Sequence, residues 1–436
     1  MSRADPRAHL HFARVETAPE RIRPPIEPPA AHSSAGLDPR APLALELDLD
    51  RRAARGLARV AAELHRLRPV LIAYLGTRVL LIVVALVDGA VRHHGLHGEL
   101  AHWDGLWYLR LASDGYPTHV PHALNVRTTL GFFPLYSIAI WLGSHALPVR
   151  ADVSGLVIAA IGGLAATVLV ERLATGWWGQ ASGRRAAILF CLFPGSVVFS
   201  MAYSEGLLIA LAAGCILALE HRRWLLAGIL AGFATATQPA ALALIPVCAV
   251  SAVLEFRRQG WGFATARSSL LAPLLSVTGV SVFAGFLWAR TGTPFATLQA
   301  QHYGWGERAD PFALVHQARA LASEISFTHF DHPTINLNLV IGSLGVVVMV
   351  VGLWLLLRRP RRVSIEAIVW TLGIAFLAST SEYVPPNPRV LITAFPVVIV
   401  FAHYLKGRRY AALALANGVL LVVLSALTFV GTTLRP

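Results

Sequence analysis

The stretch "HWDGLWYLRLASDGYP" at residues 102–117 follows the first strongly apolar segment and places two carboxylates among four aromatic residues. One amphipathic stripe is formed by four residues at helical spacing, which are Trp103, Leu106, Trp107 and Arg110. Tryptophan favours the depth of the membrane–water interface, so Trp103 and Trp107 are predicted anchors. The pattern therefore predicts an interfacial amphipathic helix that holds Asp104 at the membrane surface, facing water or a polar cavity.

The composition of the whole chain is that of a polytopic membrane protein. Hydrophobic residues make up 55% and charged residues 14%, against about 25% charged residues in soluble domains. A membrane-spanning helix needs about 20 mostly apolar residues, and about eleven candidate segments occur. They lie near residues 69–88, 131–148, 151–171, 185–202, 203–219, 225–256, 269–290, 335–357, 364–381, 389–405 and 410–431. The sequence thus predicts an all-α bundle of about eleven transmembrane helices.

Charge distribution predicts the orientation of this bundle. Residues 1–60 are rich in Pro, Arg and Ala without a sustained apolar period, which indicates a disordered cytoplasmic tail before a membrane domain at 61–436. The net charge of +13 comes from short arginine clusters between apolar runs, a positive-inside pattern that argues against nucleic acid as a partner. The first span then delivers residues 89–130 to the extracytoplasmic face of a plasma (inner) membrane.

Two regions leave the crossing number open. Two full spans within 131–171 would place the arginines of "GRR" (183–185) outside, against the charge bias. One net crossing there, with two crossings in 225–256, places every later arginine cluster inside. The same arrangement places "AYSEG" (202–206) and "TQP" (237–239) outside, and we favour it on charge grounds.

Several motifs occur in the order in which one enzyme family carries them. "WDGLWYLRLASDGY" resembles the W-D-x-x-W-[YF]-x-x-I-A-x-x-G-Y signature of the PIG-V-like mannosyltransferases, which belong to the GT-C glycosyltransferases. "FPGSVVFSMAYSEGLL" (193–208) resembles the family's second specific motif, with Gly206 in place of the usual serine. Looser similarities are "GFFPLY" (131–136), "LQAQHYGWG" (298–306) and "PRVLITAFPVV" (388–398).

This resemblance implies a GT-C-type membrane enzyme. Such an enzyme transfers a hexose such as mannose from a polyprenyl-phosphate carrier to a hydroxyl of a lipid or glycan acceptor, with inversion, at the extracytoplasmic face. An inverting displacement needs one carboxylate to take the acceptor proton, and Asp104 is the candidate general base. The leaving phosphate needs cationic donors, for which Arg389 is the first candidate and Arg110 the second.

Other candidate residues follow from the matched motifs. Glu205 is an ionisable residue between apolar segments and is expected to be functional, with capping of the following helix as its alternative role. Tyr203 could hydrogen-bond the donor or act as an interfacial anchor. Gln301, His302 and Trp305 could line the acceptor side, because sugars stack on aromatic rings and are recognised by amides; a structured loop is the alternative.

No metal or organic cofactor is expected to be required. Histidines His93, His94 and His97 could bind a divalent ion but are more typical of a polar loop. The three cysteines lie in apolar segments without metal-ligand spacing and predict packing residues rather than a disulfide.

Two other classes of protein remain as alternatives. A transporter or flippase of lipid-linked sugars should show inverted repeats and broken helices meeting at mid-membrane, and the sequence shows no convincing repeat. A non-catalytic scaffold of cell-envelope assembly would not need the acid in the first motif. Membrane lipids are expected partners under every alternative.

Overall fold

The computed structural model describes residues 41–93, 95, 100–325, 336–358, 362–382, 386–429 and 434. Contacts divide the chain after Ala62 into two units, and the features below belong to the unit Glu63–Pro436 unless a longer helix is named. Most of the tail predicted at 1–60 lies outside the described residues, because only residues from 41 onward are described. The first described helix begins at Ala41, about 20 residues before the predicted boundary.

Helices form nearly all of the regular structure among the described residues, with one isolated β-bridge between Ala309 and Ser381. The α-helices are α1 (Ala41–Arg92), α2 (Asp104–Asp114), α3 (Pro134–Ala146), α4 (Ala151–Trp178), α5 (Gln180–Leu192), α6 (Glu205–Glu220), α7 (Trp224–Ala234), α8 (Leu244–Arg258), α9 (Phe263–Ala266), α10 (Leu271–Ser276), α11 (Thr278–Thr291), α12 (Ala296–Trp305), α13 (Ala313–Ile325), α14 (Leu337–Leu357), α15 (Ile365–Thr380), α16 (Pro388–Thr393), α17 (Phe395–Tyr404) and α18 (Gly407–Phe429). Short 3₁₀ segments lie at Thr129–Gly131, Pro194–Ser200, Pro239–Ala243 and Arg267–Leu270.

The all-helical membrane architecture is confirmed, but the number of eleven spans is not. Within the described ranges, six helical segments are long and apolar enough to cross a membrane, or seven if the bent pair Gln180–Leu192 and Pro194–Ser200 is one span. Several predicted spans are shorter helices, such as α7, α15 and α17. Pro194, Pro239 and Pro388 begin helices rather than continue them, because proline lacks the N–H and fixes φ for a first turn.

Contacts between chain segments show which ends of the helices lie together in the two ambiguous regions. Arg66 lies near the start of the apolar segment Ala61–Val91 of α1 and donates to Glu171 at 2.6 Å, so the C-terminal part of α4 lies beside the start of this first span. At the opposite end of α4, Tyr136 donates to the Gly155 carbonyl at 2.8 Å. Together with the shortness of α3, these contacts agree with one net crossing of the 131–171 region, the arrangement that the charge pattern favours, and the crossing number remains a prediction.

The two ends of the 225–256 region lie side by side. Arg222, before α7, lies 3.6 Å from Glu255 near the end of α8. The turn between these helices lies at the other end, where Ser204 donates to Gln238 at 3.4 Å. "AYSEG" and "TQP" therefore share one end of the bundle, as predicted, with the flanking arginines Arg222 and Arg258 beside Glu255 at the other.

Close approach of α4 and α6 explains the glycine that replaces the family's usual serine. A Cβ on Gly206 would lie 2.6 Å from the Ala159 carbonyl oxygen, and one on Gly162 would lie 2.7 Å from the Gly206 backbone. Real Cβ atoms do not approach backbone atoms so closely, so both positions require glycine. Small residues at helix contacts are typical of membrane bundles.

Candidate active site

Asp104 is the first residue of α2, where the helix dipole favours a negative charge. Its backbone N–H donates to the Tyr203 hydroxyl oxygen at 3.3 Å. Trp103, which precedes it, has a φ of 57°, a region that residues with side chains rarely adopt. Such strain is common at functional sites, and here it accompanies the turn of the chain into α2.

Arg389 approaches Asp104 from the other half of the chain. It lies in the first turn of α16, which Pro388 begins and which Asn387 caps by accepting a hydrogen bond from Val390 N at 3.0 Å. The guanidinium donates from Nη1 to Asp104 Oδ2 at 2.5 Å. The predicted base and the predicted cation, 285 residues apart in the sequence, thus form an ion pair.

Glu205 contacts the guanidinium of Arg389 as well. Its Oε1 lies 3.6 Å from Arg389 Nε, and its side chain is 5% exposed. Oε2 has no hydrogen-bond partner in the described part of the chain. Arg389 is therefore held between two carboxylates, one partly exposed and one buried.

The two carboxylates stabilise the positive charge of Arg389. Burial opposes the charge of Arg389, but the carboxylates of Asp104 and Glu205 outweigh burial and raise the pKa of Arg389 above its ordinary value. Burial and the nearby charge of Asp104 raise the pKa of Tyr203. Arg389 consequently stays cationic and Tyr203 stays a neutral hydroxyl, with its ring 5.6 Å from the guanidinium.

A 3₁₀ segment at Pro194–Ser200 supports both sides of this cluster. It leads directly to Tyr203 and Glu205, and its Gly195 leaves no room for a Cβ against the Pro388 carbonyl beside Arg389. Arg78 of α1 holds the segment, donating to the Ser196 carbonyl at 2.6 Å and to Ser200 Oγ at 2.9 Å. The chain segments that carry Glu205 and Arg389 are thereby fixed to one another.

The Asp104–Arg389 pair opens into a cavity of about 830 Å³. The predicted site residues that line it are Trp103, Asp104, Trp107, Tyr203, Trp305 and Arg389. Trp305 contacts Trp107 edge to face with ring centroids 5.6 Å apart. Motifs that are distant in sequence therefore form one aromatic cavity around a carboxylate and an arginine.

Four of the predicted site residues do not line this cavity in the described structure. Arg110 is exposed and stacks over Trp107 at 5.1 Å. Gln301 donates to the Gly131 carbonyl at 2.7 Å, and His302 packs its ring against Tyr303. Glu205 lies behind Arg389. Their predicted contacts with substrate remain predictions.

The two predicted anchors lie in the cavity wall. Trp103 packs against the main hydrophobic core, and Trp107 stacks on Phe132 at 6.2 Å. The buried face of α2 is formed by Gly105, Tyr108 and Leu111 rather than by the tryptophan stripe. The amphipathic helix predicted from the sequence is thus present, and its interfacial position remains a prediction.

Several polar residues of the cavity were missed by sequence reasoning, Arg127, His316 and Gln317 among them. Arg127 precedes the "GFFPLY" motif, while His316 and Gln317 lie on α13. Asp310 and His316 form a 2.7 Å pair, and Gln317 Nε2 is buried without a hydrogen-bond partner within the described ranges. The helical period of "ALVHQARALASEI" could have indicated a polar face, but no motif connected it with Asp104.

The described residues bear on the predictions for metal-binding groups and for the cysteines. Among the described residues, no group of three His, Cys, Asp or Glu side chains could hold a metal ion. Of the three candidate histidines, His94 and His97 lie outside the described residues. Cys191, Cys215 and Cys248 are buried free thiols, which confirms the prediction of packing residues.

Comparison with known proteins agrees with this arrangement of motifs. Residues 74–270 match a family model described as "Mannosyltransferase (PIG-V)". The predicted family resemblance is confirmed. The matched residues include Asp104, Tyr203 and Glu205 but end before Trp305 and Arg389. In the fold, Trp305 contacts Trp107 and Arg389 contacts Asp104, both within the matched segment.

Relatives match over part of their length. GPI mannosyltransferase 2 of Drosophila pseudoobscura pseudoobscura is 32% identical over 116 residues, which span 24% of this chain and 24% of the relative. ArnT from Cupriavidus metallidurans, solved with undecaprenyl phosphate, is 16% identical with a TM-score of 0.47, over 77% of this chain and 61% of that one. The oligosaccharyltransferase AglB from Archaeoglobus fulgidus, in complex with an inhibitory peptide and a dolichol-phosphate, is 12% identical with a TM-score of 0.41, over 81% and 56%.

Proposed function

We propose that this protein is a membrane glycosyltransferase that uses Asp104 as a general base. The observation that carries the proposal is the Asp104 carboxylate, fixed by Arg389 at the surface of a cavity with aromatic walls. Asp104 Oδ2 accepts from Arg389, while Oδ1 makes no hydrogen bond to any described residue. One oxygen is thus held in place and the other is free to accept a proton.

The proposed step is a single displacement. Asp104 takes the proton of the acceptor hydroxyl as the acceptor oxygen bonds to the anomeric carbon of the sugar. The bond between that carbon and the donor phosphate oxygen breaks, and the phosphate leaves with the electron pair. When Asp104 becomes neutral, Glu205 remains 3.6 Å from Arg389 Nε.

A single displacement inverts the anomeric carbon. A retaining route would need a second carboxylate placed as a nucleophile. Glu205 is the other carboxylate on Arg389, and it does not line the cavity in the described structure. Glu382 lines the cavity but is exposed and, among the described residues, forms no ion pair with Arg389. The arrangement therefore supports inversion.

The family resemblance supports a polyprenyl-phosphate hexose, such as mannose, as the donor. A second cavity of about 660 Å³ lies on the side of α2 formed by Leu111 and Ala112, and its other walls include Trp141, Phe233 and Phe286. These walls are almost wholly apolar and suit an isoprenoid chain. A lipid or glycan hydroxyl is the acceptor, and the positive-inside charge pattern supports a reaction at the extracytoplasmic face.

The test is single-turnover transfer by Asp104→Asn with saturating polyprenyl-phosphate mannose and a panel of lipid and glycan acceptors. The carboxamide keeps the size of the side chain but cannot accept the proton, so the rate should fall about 10²-fold to 10⁴-fold. New glycosidic products are followed by mass spectrometry. Donor binding is measured on the same preparations and should be retained.

Asp114→Asn is the matched control. Asp114 ends the same helix, is exposed and accepts a hydrogen bond from Ser113 Oγ at 2.7 Å. This variant should transfer sugar at the wild-type rate. Transfer by Asp104→Asn at that same rate would remove the base and favour a flippase or a scaffold.

A further inference from the structure

Arg127 is a cation of the cavity whose charge no carboxylate balances among the described residues. The cavity lining contains two arginines, Arg127 and Arg389, and two acids, Asp104 and Glu382. Arg389 is already held by Asp104 and Glu205. Arg127 forms no ion pair with a described acid, so it can receive an anion without breaking a salt bridge.

Neighbouring groups hold Arg127 at the cavity wall. Its Nε donates to the Gly304 carbonyl at 3.3 Å, and its guanidinium lies 5.8 Å from the centroid of the Trp305 ring. Asn125 N also donates to the Tyr303 carbonyl at 2.8 Å, joining the two chain segments. The contact through Nε leaves the two terminal nitrogens of the guanidinium for a ligand.

The wall behind Arg127 continues to the proposed base. Trp305, beneath Arg127, contacts Trp107, which lies three residues after Asp104 on α2. Trp305 also contacts Phe132 edge to face at 5.6 Å. An aromatic surface suited to a sugar ring thus connects the unpaired cation with the carboxylate.

We propose that Arg127 binds the phosphate of the lipid-linked donor, while Arg389 positions Asp104. This inference rests on the proposed function. A planar guanidinium grips phosphate through two nitrogens and is pre-organised here by its contacts with Gly304 and Trp305. It also neutralises the charge that develops on the leaving phosphate.

The experiment measures binding to the purified full-length protein in lipid nanodiscs by titration calorimetry. Three probes are used: farnesyl phosphate, farnesol and inorganic phosphate. Arg127→Gln should weaken farnesyl phosphate about 10-fold to 100-fold, the usual effect of losing a charge-assisted hydrogen bond. Arg127→Lys should give an intermediate loss, because the charge remains and the fork is lost.

Farnesol and a control variant separate a phosphate contact from general damage. Farnesol should bind Arg127→Gln and the wild type equally, since it has no phosphate. Arg319→Gln should bind farnesyl phosphate like the wild type, because Arg319 is exposed on α13 and does not line the cavity in the described structure. Unchanged farnesyl phosphate affinity in Arg127→Gln would overturn the assignment, as would an equal loss of farnesol.

Inorganic phosphate tests whether the site binds a lipid-linked phosphate or any free phosphate. Much tighter binding of farnesyl phosphate than of inorganic phosphate by the wild type supports a lipid donor. Equal affinities would overturn the lipid assignment. Asp104→Asn should bind farnesyl phosphate normally, so loss of the proposed base and loss of the phosphate site give different results.

Discussion

A guanidinium shared between two carboxylates is the residue-level feature that organises this site. Arg389 contacts Asp104 through Nη1 and Glu205 through Nε. The ammonium of lysine is a compact charge on a flexible chain and cannot reproduce both contacts. We therefore regard Arg389 as the residue that keeps Asp104 aimed at the cavity.

Arg389→Lys tests this positioning role. Misplacement of the base should lower kcat about 10²-fold, while the donor KM stays close to the wild-type value because the phosphate is bound elsewhere. Steady-state kinetics with varied donor separate the two parameters. A raised donor KM with normal kcat would instead support the phosphate-binding role that the sequence motif predicted for Arg389.

Packing of α4 against α6 governs stability at the level of helices. Gly206→Ala places a Cβ 2.6 Å from the Ala159 carbonyl oxygen, so the helices must separate. Overpacking of this kind costs about 1 to 3 kcal/mol in the free energy of unfolding. Gly206→Ser should do the same, although serine is usual at this position in the matched motif.

Gly176→Ala is the control for this prediction. It lies in α4 as well, but a Cβ there would meet no atom within 4 Å. Alanine favours a helix over glycine by about 1 kcal/mol, so Gly176→Ala should unfold at or above the wild-type temperature. Thermal unfolding in detergent compares the variants, and equal melting temperatures for Gly206→Ala and wild type would contradict the packing argument.

At the scale of the whole molecule, the proposed site belongs to only one of the two units into which the chain divides. The proposed site uses residues between Trp103 and Arg389, all within the unit Glu63–Pro436. Residues 1–40 have few apolar side chains with which to bury surface on that unit. Deletion of residues 1–40 should therefore leave the transfer rate unchanged.

Transfer assays on the deletion variant and the full chain check this expectation. The deletion variant that also carries Asp104→Asn provides the background rate. A stable deletion variant that no longer transfers sugar would show that the N-terminal segment takes part in catalysis.

The sequence by itself determined the membrane class, the helical architecture and Asp104 as the candidate base. The first two depend on composition and on local spacing, and Asp104 depends on a motif that resembles one enzyme family; all three are readable without knowledge of distant contacts. Charge bias favours one net crossing in 131–171 and two in 225–256, and these crossing numbers remain predictions. The count of apolar segments gave too many spans, because apolar length does not reveal where a proline starts a new short helix.

Only the tertiary structure decided which residues act together. The Arg389–Asp104 pair and the Arg127–Trp305 contact join positions 285 and 178 residues apart, and no local pattern encodes such pairings. The need for glycine at Gly206 likewise comes from the carbonyl of another helix. A local pattern specifies what a residue can do, whereas packing decides what lies close enough for it to act upon.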